Sequence, residues 1–377
     1  MLPTQSAYAS VVPLIPPTYV DPYVLVGGQN GTWFQPGQAP RLYQFFLSNN
    51  VVKQLAPISG GGTVWTGGWN GSQWLISGWG AGPAGSDPYL YLYDGRKQIV
   101  TEPINRYESE SSWHGGDVFS VSYNGKEWLL TGMGSDMLAF YNGNNPANHL
   151  ALATFDGNAF RDLSTLIPEQ QDGILYANAW NGKYWLVGGG YLTSGVLFTF
   201  NGTETVDLTP KIKYAVPTFS SVQSIGWNGN YWLIGGIGFL AKYDGFTFVD
   251  LTIELGAILP MRPADSVNAI AWNGNTWLIG GGAPVAQPLS GSEGWLAAYG
   301  SKGFVDLTYL LPYYVSRRSF TNSSILTIKN SGDSWIIGGY SNNHALLFTF
   351  NNGAIVDRSN LVKAMSYVIW IGETVHA

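Results

Sequence analysis

Short apolar runs, separated by Asn-Gly, Asp-Gly and Gly-Gly pairs, follow one another along almost the whole chain. The clearest pattern reads Trp-Asn-Gly-x-x-Trp-Leu-Ile-Gly-Gly, and nearly identical copies occupy 180–189, 227–236 and 272–281. Variants of it lie at 69–78, 123–132 and 329–339, and 23–28 keeps only the second half. Short apolar runs bounded by such turn signals predict β-strands.

Each copy continues in the same way beyond its glycine pair. A variable loop leads to Leu-x-x-(Tyr/Phe)-(Asp/Asn)-Gly, and a short β-branched or aromatic run then ends in Asp-Leu-Thr or a relative of it. A unit therefore holds four predicted strands, which we name a to d in chain order. In the sixth unit they are predicted at 267–272, 276–280, 295–299 and 303–307.

The Asn-Gly pair between strands a and b indicates a two-residue type I′ hairpin turn. That turn pairs Trp180 with Lys183, so Trp180 and Trp185 are predicted to be diagonal neighbours on one sheet face. The repeated Trp pair predicts a packing layer between sheets. The glycine pair predicts close approach of neighbouring backbone.

The seven copies end at residues 28, 78, 132, 189, 236, 281 and 339, so the repeat accounts for nearly the whole chain. Self-similarity at such a period is typical of repeat architectures. We predict an all-β fold, a seven-bladed β-propeller of four-stranded antiparallel blades. Residues 19–377 form this single domain in the prediction, and residues 1–18, with four prolines, form an N-terminal arm.

An apolar strand, Gly-Gly, a variable loop, an apolar strand ending in Tyr-Asp and a fourth strand together resemble the kelch repeat. The resemblance covers nearly the whole chain. The chain departs from the kelch pattern where a Trp usually follows the Tyr, because that strand here reads Phe-Val-Asp-Leu-Thr. The resemblance implies a propeller fold and says little about activity.

The two ends of the chain indicate how the ring closes. Val368-Ile-Trp370 resembles the strand a sequence Ile270-Ala-Trp272, whereas the first unit has no Trp-Asn-Gly of its own. An unclosed ring would leave a strand edge exposed. We therefore expect residues 366–371 to pair with the first blade as its innermost strand.

Composition and charge exclude several classes of protein. Only 11% of residues are charged, against about 25% in average globular proteins. A net charge of −6 argues against nucleic-acid binding, which needs a basic face. No apolar run approaches the roughly 20 residues of a membrane span, and the N-terminus lacks the features of a secretory signal. The chain has no cysteine, so thiol and disulfide chemistry are excluded.

The turns assign the two faces of the predicted propeller. The a–b and c–d turns are uniformly short and share one face, which we call the tight-turn face. The longer b–c loops and d–a crossovers share the other, the long-loop face, and such loops commonly carry function. Aromatic and Arg side chains anchor interfaces, and aromatic rings also stack on sugars. The predicted binding residues on the long-loop face are Trp79, Tyr89, Arg106, Tyr107, Trp113, His114, Tyr313, Tyr314, Arg317 and Arg318.

No catalytic or metal-binding constellation is recognisable. The four histidines, His114, His149, His344 and His376, do not share metal-ligand spacing. Aspartates recur at the end of strand d, and this constant place predicts turn formers that bond to backbone. They are Asp162, Asp207, Asp250, Asp306 and Asp357. We predict no metal, no cofactor and no catalytic residue, which favours a protein that is not an enzyme.

Three functional hypotheses remain. The leading one is a non-enzymatic binding or assembly protein that contacts a glycan or protein surface through the long-loop face. Low charge, abundant aromatics and the lack of cysteine favour a virion or cell surface over the cytoplasm, with the N-terminal arm as a further assembly contact. The second is a carbohydrate-active hydrolase or lyase on the same face. The third is an intracellular kelch-like scaffold for protein interactions.

Overall fold

The computed structural model of the protein describes residues 22–29, 41–55, 62–82, 85–95, 98–100, 116–135, 148–168, 172–191, 193–259, 265–283, 293–315 and 322–375. Within them the chain is a β-propeller, as predicted, built of antiparallel four-stranded blades. The helices are short and follow strand d: α1 (Thr209–Ala215), α2 (Thr252–Ile258) and the 3-10 helices Ser164–Leu166, Thr308–Leu310 and Ser359–Val362.

The described strands form five four-stranded sheets and one eight-stranded sheet, in which Gly282 pairs with Ser324. We divide the eight-stranded sheet into two blades and give the strands of each blade in the order a to d. Blade 1 holds β1 (Tyr23–Gln29), β2 (Arg41–Phe46) and β3 (Val51–Gln54); blade 2 holds β4 (Thr63–Trp69), β5 (Trp74–Gly82), β6 (Gly85–Tyr93) and β7 (Gln98–Val100); blade 3 holds β8 (Asp117–Tyr123), β9 (Trp128–Ser135), β10 (Asn148–Phe155) and β11 (Phe160–Asp162). Blade 4 holds β12 (Ile174–Trp180), β13 (Trp185–Tyr191), β14 (Ser194–Phe200) and β15 (Thr205–Asp207); blade 5 holds β16 (Val222–Trp227), β17 (Trp232–Gly236), β18 (Phe239–Tyr243) and β19 (Phe248–Asp250). Blade 6 holds β20 (Ser266–Trp272), β21 (Trp277–Gly282), β22 (Trp295–Gly300) and β23 (Gly303–Asp306); blade 7 holds β24 (Ser323–Ser331), β25 (Ser334–Ser341), β26 (His344–Asn351) and β27 (Ala354–Asp357).

The last strand, β28 (Tyr367–Ile371), supplies the innermost strand of blade 1. It pairs antiparallel with β1, as expected for residues 366–371. Val368 of β28 and Ile336 of β25 also share one buried apolar cluster with β1 and β2. These contacts join the last blade to the first. The predicted N-terminal arm, residues 1–18, lies outside the described residues.

The a–b hairpin register differs from the prediction. Trp180 pairs directly with Trp185, not with Lys183, and the two indole rings are 4.5 Å apart. The Asn181 side-chain Oδ1 accepts hydrogen bonds from the N–H groups of Lys183 and Tyr184, at 2.9 and 2.8 Å. Only Gly182 of the turn has positive φ, at 94°. The central residues are therefore Gly-Lys, because the Asn caps the turn with its side chain.

In blades 1 and 4 to 7 the glycine pair holds the blade against its neighbour, and blades 2 and 3 have Ser77-Gly78 and Thr131-Gly132 at these positions. A Cβ on the first glycine would meet a β-branched side chain of the next blade, for example Val267 at 2.4 Å from Gly235. A Cβ on the second glycine would lie 1.9–2.3 Å from a main-chain carbonyl oxygen of strand a in its own blade. The predicted close backbone approach is confirmed. The second glycines are Gly28, Gly78, Gly132, Gly189, Gly236, Gly281 and Gly339.

Opposite each glycine pair, the innermost strand carries a β-bulge. In blade 6, for example, Val267 pairs with Gly281 and Ala269 with Gly280, which leaves Asn268 without a partner on β21. The same shift occurs in every blade. A bulge re-aims one side chain without ending the ladder. Here the extra residue of each strand is turned toward the propeller axis.

The recurring aspartates are turn formers, as predicted. Asp207 Oδ1 accepts a hydrogen bond from the Thr209 N–H at 2.8 Å. The Thr209 hydroxyl oxygen accepts one from the Leu197 N–H of strand c at 3.0 Å. Equivalent bonds begin the crossovers of blades 3, 5, 6 and 7. The acidic residues therefore fix the start of each crossover and do not converge on a site.

Candidate binding site in the central channel

The innermost strands surround a cavity of about 700 Å³ along the propeller axis. Almost all of its lining comes from strand a of blades 2 to 7 and from β28. Its volume is within the roughly 300–1,000 Å³ that ligand pockets usually occupy. Because each blade contributes the same strand, differences between blades decide the chemistry of the wall.

One ring of the cavity wall consists of the residues that the bulges turn inward, and we call it the collar. In order around the axis it holds Ile369, Trp65, Phe119, Tyr176, Gln223, Asn268 and Leu326. No residue type occurs twice. The collar is therefore the level at which the repeat departs most from itself, and departures from a repeat are where a specific site is expected.

The other end of the cavity lies at the tight turns. Blades 2 to 6 place an aromatic residue there, and each ring packs 4.5–5.1 Å from the buried motif Trp of its own blade. Blades 7 and 1 place Asn330 and Glu373 at this level. Lys329 Nζ and Glu373 Oε1 form an ion pair at 3.2 Å. These aromatic residues are half-buried, whereas four of the collar residues are buried.

The cavity wall carries little charge. Lys329 and Glu373 are the only formally charged residues among the described residues that line it. Burial raises the pKa of the Tyr176 hydroxyl above its ordinary value, so this phenol keeps its proton at neutral pH. The described residues also contain no group of three or more His, Asp or Glu side chains arranged to hold a metal ion. The wall suits binding of a neutral molecule better than acid–base chemistry.

A buried carboxyl lies near the start of strand a in blade 3. Asp117 is 8% exposed, and its Oδ1 accepts no hydrogen bond within the described part of the chain. Burial raises the pKa of Asp117 from 3.8 to about 7. The folded protein therefore holds a proton that the unfolded chain releases near pH 4.

Stability is expected to fall as the pH rises from about 4 to about 7. The pKa of Asp117 is higher in the folded protein than in the unfolded chain. Its contribution to the free energy of unfolding is therefore complete below the unfolded pKa, and it is lost as the pH rises through the folded pKa. The change amounts to at most about 4 kcal/mol, at roughly 1.4 kcal/mol per pKa unit. Asp117→Asn should raise the melting temperature at pH 8 and flatten its pH profile between pH 4 and 7. Asp156→Asn, at an exposed turn, is the control, and an unchanged Asp117→Asn profile would contradict the assignment.

No protein-family model matches the chain, and no curated protein matches it. Solved structures do resemble it. A candidate 6-phosphogluconolactonase from Bacteroides uniformis superimposes with a TM-score of 0.56 at 10% identity, covering 94% of this chain and 100% of that one. Another, from Bacteroides fragilis, gives a TM-score of 0.53 at 9% identity, covering 94% and 98%. At such identity the likeness shows the propeller fold alone, and the kelch resemblance stays a prediction.

The structure describes four of the ten residues predicted on the long-loop face. Trp79 lies in β5. Tyr89 is only 5% exposed, and its hydroxyl donates to the Thr63 carbonyl oxygen at 2.8 Å. Tyr313 and Tyr314 are 66% and 41% exposed, and the Tyr314 hydroxyl donates to the Asp357 carboxylate. The others, Arg106, Tyr107, Trp113, His114, Arg317 and Arg318, lie outside the described residues.

Sequence reasoning did not identify the collar. An apolar pattern of period two cannot reveal a bulge, because one extra residue shifts every later side chain. The signal that could have found it is the glycine pair, which is the partner of the bulge in five blades and is replaced by Ser77-Gly78 and Thr131-Gly132 in blades 2 and 3. The residue four positions before the first motif Trp then marks the collar, for example Tyr176 before Trp180.

No helix among the described residues has the length and apolar character needed to cross a bilayer.

Proposed function

We propose that this protein is a non-enzymatic binding module that holds a small ligand in its central channel. The observation that carries the proposal is the collar: seven equivalent positions of a regular repeat hold seven different side chains around one cavity. A purely structural ring would repeat its packing residue, as the buried motif Trp does in blades 2 to 7. As in the sequence analysis, the protein is proposed to bind a partner molecule. The proposed site is now the central channel and not the long-loop face.

The absence of a catalytic grouping in the described wall supports binding over turnover. Lys329 is paired with Glu373 at the tight-turn end, and the Tyr176 phenol keeps its proton at neutral pH. General acid–base catalysis needs groups whose pKa lies near the working pH. Among the described residues that line the cavity, no carboxyl or imidazole lies beside the collar.

Filling the channel is expected to abolish ligand binding. Ala271 lines the cavity, and Ala271→Trp would occupy its centre. Calorimetric titration with a panel of neutral sugars, amino acids and nucleosides should show at least one binding class in the unmodified protein. Its affinity should fall at least about tenfold, or about 1.4 kcal/mol, in Ala271→Trp. Ala298→Trp, on β22 outside the channel lining, is the matched control and should bind normally.

Three results would contradict the proposal. One is that no member of the panel binds. A second is that binding survives in Ala271→Trp but is lost in Tyr313→Ala or Tyr314→Ala, which would place the ligand on the long-loop face as the sequence predicted. The third is conversion of a bound sugar, detected by mass spectrometry, which would favour the carbohydrate-active enzyme.

A further inference from the structure

The collar has two chemically different sides, and this inference about ligand class rests on the proposed channel function. Trp65, Phe119 and Tyr176 follow one another around the axis and form what we call the aromatic arc. Their ring centroids are 5.0 Å apart between Trp65 and Phe119, and 5.3 Å apart between Phe119 and Tyr176. The three rings are half-buried. The planes of Trp65 and Phe119 are inclined by 34° and those of Phe119 and Tyr176 by 73°, so the arc offers an angled apolar surface to a ligand.

The next two collar residues, Gln223 and Asn268, form an amide pair. They are 7% and 6% exposed, and both also line a smaller cavity of about 170 Å³ at collar level. Neither Gln223 Oε1 nor Asn268 Oδ1 accepts a hydrogen bond within the described part of the chain. A buried acceptor without a donor costs about 1–3 kcal/mol. A donor supplied from the cavity would remove this cost.

The orientation of the Asn268 amide follows from its partners. Its Nδ2 donates to the Ala283 carbonyl oxygen at 2.8 Å and to Ser324 Oγ at 2.9 Å. A carbonyl oxygen can only accept, so the Asn268 nitrogen must be on that side and its oxygen on the other. Gln223 Nε2 donates to Ser221 Oγ at 3.0 Å, which uses one of its two N–H groups. The Asn268 side chain is held by its nitrogen and presents its oxygen as an acceptor.

A third amide on the cavity wall shows what a structural role looks like. Asn178 Nδ2 donates to the Ser120 carbonyl oxygen at 3.1 Å and to Thr131 Oγ1 at 2.9 Å, and its Oδ1 accepts from the Ser122 hydroxyl. All of its polar atoms are therefore used within blades 3 and 4. The amide pair differs in that its acceptors remain for a ligand or for water.

We infer that the channel ligand is a neutral carbohydrate. Its hydroxyl groups donate to Gln223 Oε1 and Asn268 Oδ1, and an apolar C–H face of the sugar ring packs on the aromatic arc. The collar has no charged side chain, which disfavours phosphorylated, carboxylated and cationic ligands. Sugars combine many hydroxyl donors with an apolar ring face, and this combination matches both sides of the collar. The cavity of about 700 Å³ has room for more than one sugar unit.

The test compares collar variants in titrations with neutral mono- and disaccharides. Gln223→Met keeps the side-chain length and removes the acceptor, so it should lower sugar affinity roughly three- to tenfold, the usual value of one hydrogen bond. Phe119→Leu, a second variant, should lower it by a similar factor through loss of the aromatic face. Gln54→Met is the matched control, because it makes the same substitution at an exposed position of β3 outside the cavity lining. Thermal unfolding of each variant verifies the fold.

The outcomes separate this inference from the proposed function. Sugar binding that falls in Gln223→Met and Phe119→Leu but persists in Gln54→Met supports the inference. If only amino acids or nucleosides bind and Ala271→Trp abolishes that binding, the channel function stands and the carbohydrate inference is wrong. Sugar binding that is unchanged in both Gln223→Met and Phe119→Leu also overturns the inference.

Discussion

Gly281→Ala is expected to destabilise the protein by about 3–5 kcal/mol, at the upper end of effects seen for single substitutions. A Cβ at this position would lie 2.0 Å from the Ser266 carbonyl oxygen and 2.4 Å from Trp295 Cζ2. Neither group can withdraw easily, because one is main chain beside the bulge and the other is a fully buried indole. We expect a melting temperature lower by about 4–6 °C in circular dichroism, since a chain of this length loses little more than about 1 °C per kcal/mol.

Gly274→Ala is the matched control for Gly281→Ala. Gly274 lies in the a–b turn of the same blade with φ of 95°, and a Cβ there would have no neighbour within 4 Å. Its cost is backbone strain alone, about 1–2 kcal/mol. Equal destabilisation by the two variants would show that the steric approach at the glycine pair is not what limits stability.

Deleting residues 364–377 is expected to have an effect of similar size or larger. The deletion removes β28, whose pairing with β1 supplies the innermost strand of blade 1. It also removes the Val368 side chain, which packs closely on Gly338 of blade 7. A Cβ added to Gly338 would lie only 2.4 Å from Val368 Cγ1. Blades 7 and 1 would lose their shared cluster and leave two apolar faces exposed. Thermal unfolding should begin at least about 10 °C lower and lose cooperativity, because repeat units then unfold separately.

Deleting only residues 376–377 is the control for this truncation. It leaves β28 and the bridge between Val375 and Tyr23 in place. The control should unfold at the temperature of the full chain. A single, unshifted transition in the longer deletion would mean that β28 is dispensable and that the ring does not depend on joining its ends.

The propeller was predictable because its evidence is repeated seven times. The motif that ends at Gly189 recurs at the ends of five other b strands, so chance matches carry little weight. The pairing of the C-terminal strand was also readable, since Trp370 occurs in a strand a pattern without a turn after it. The hairpin register was not, because the Asn181 side chain competes with main chain for the same N–H groups. Local side-chain bonding of this kind changes a turn without changing the apolar pattern.

The candidate site was harder to predict than the fold. Function was sought where long loops interrupt the repeat, and Tyr89 was among the binding residues predicted there. The structure instead buries Tyr89 and brings Gln223 and Asn268 together from strands that look regular. These two residues are 45 positions apart in the sequence, so only the ring geometry makes them neighbours. A variable residue inside a regular strand was the relevant signal.

The bulge also bears on how such a protein can change over evolutionary time. Because the collar residue of each strand has no partner in the ladder, replacing it alters no strand register and removes no cross-strand pair. Seven such positions surround one cavity, each on a different segment of the gene. Single substitutions can therefore change ligand preference one blade at a time while the scaffold stays intact. Relatives with the same glycine pairs and different collars are expected to bind different molecules.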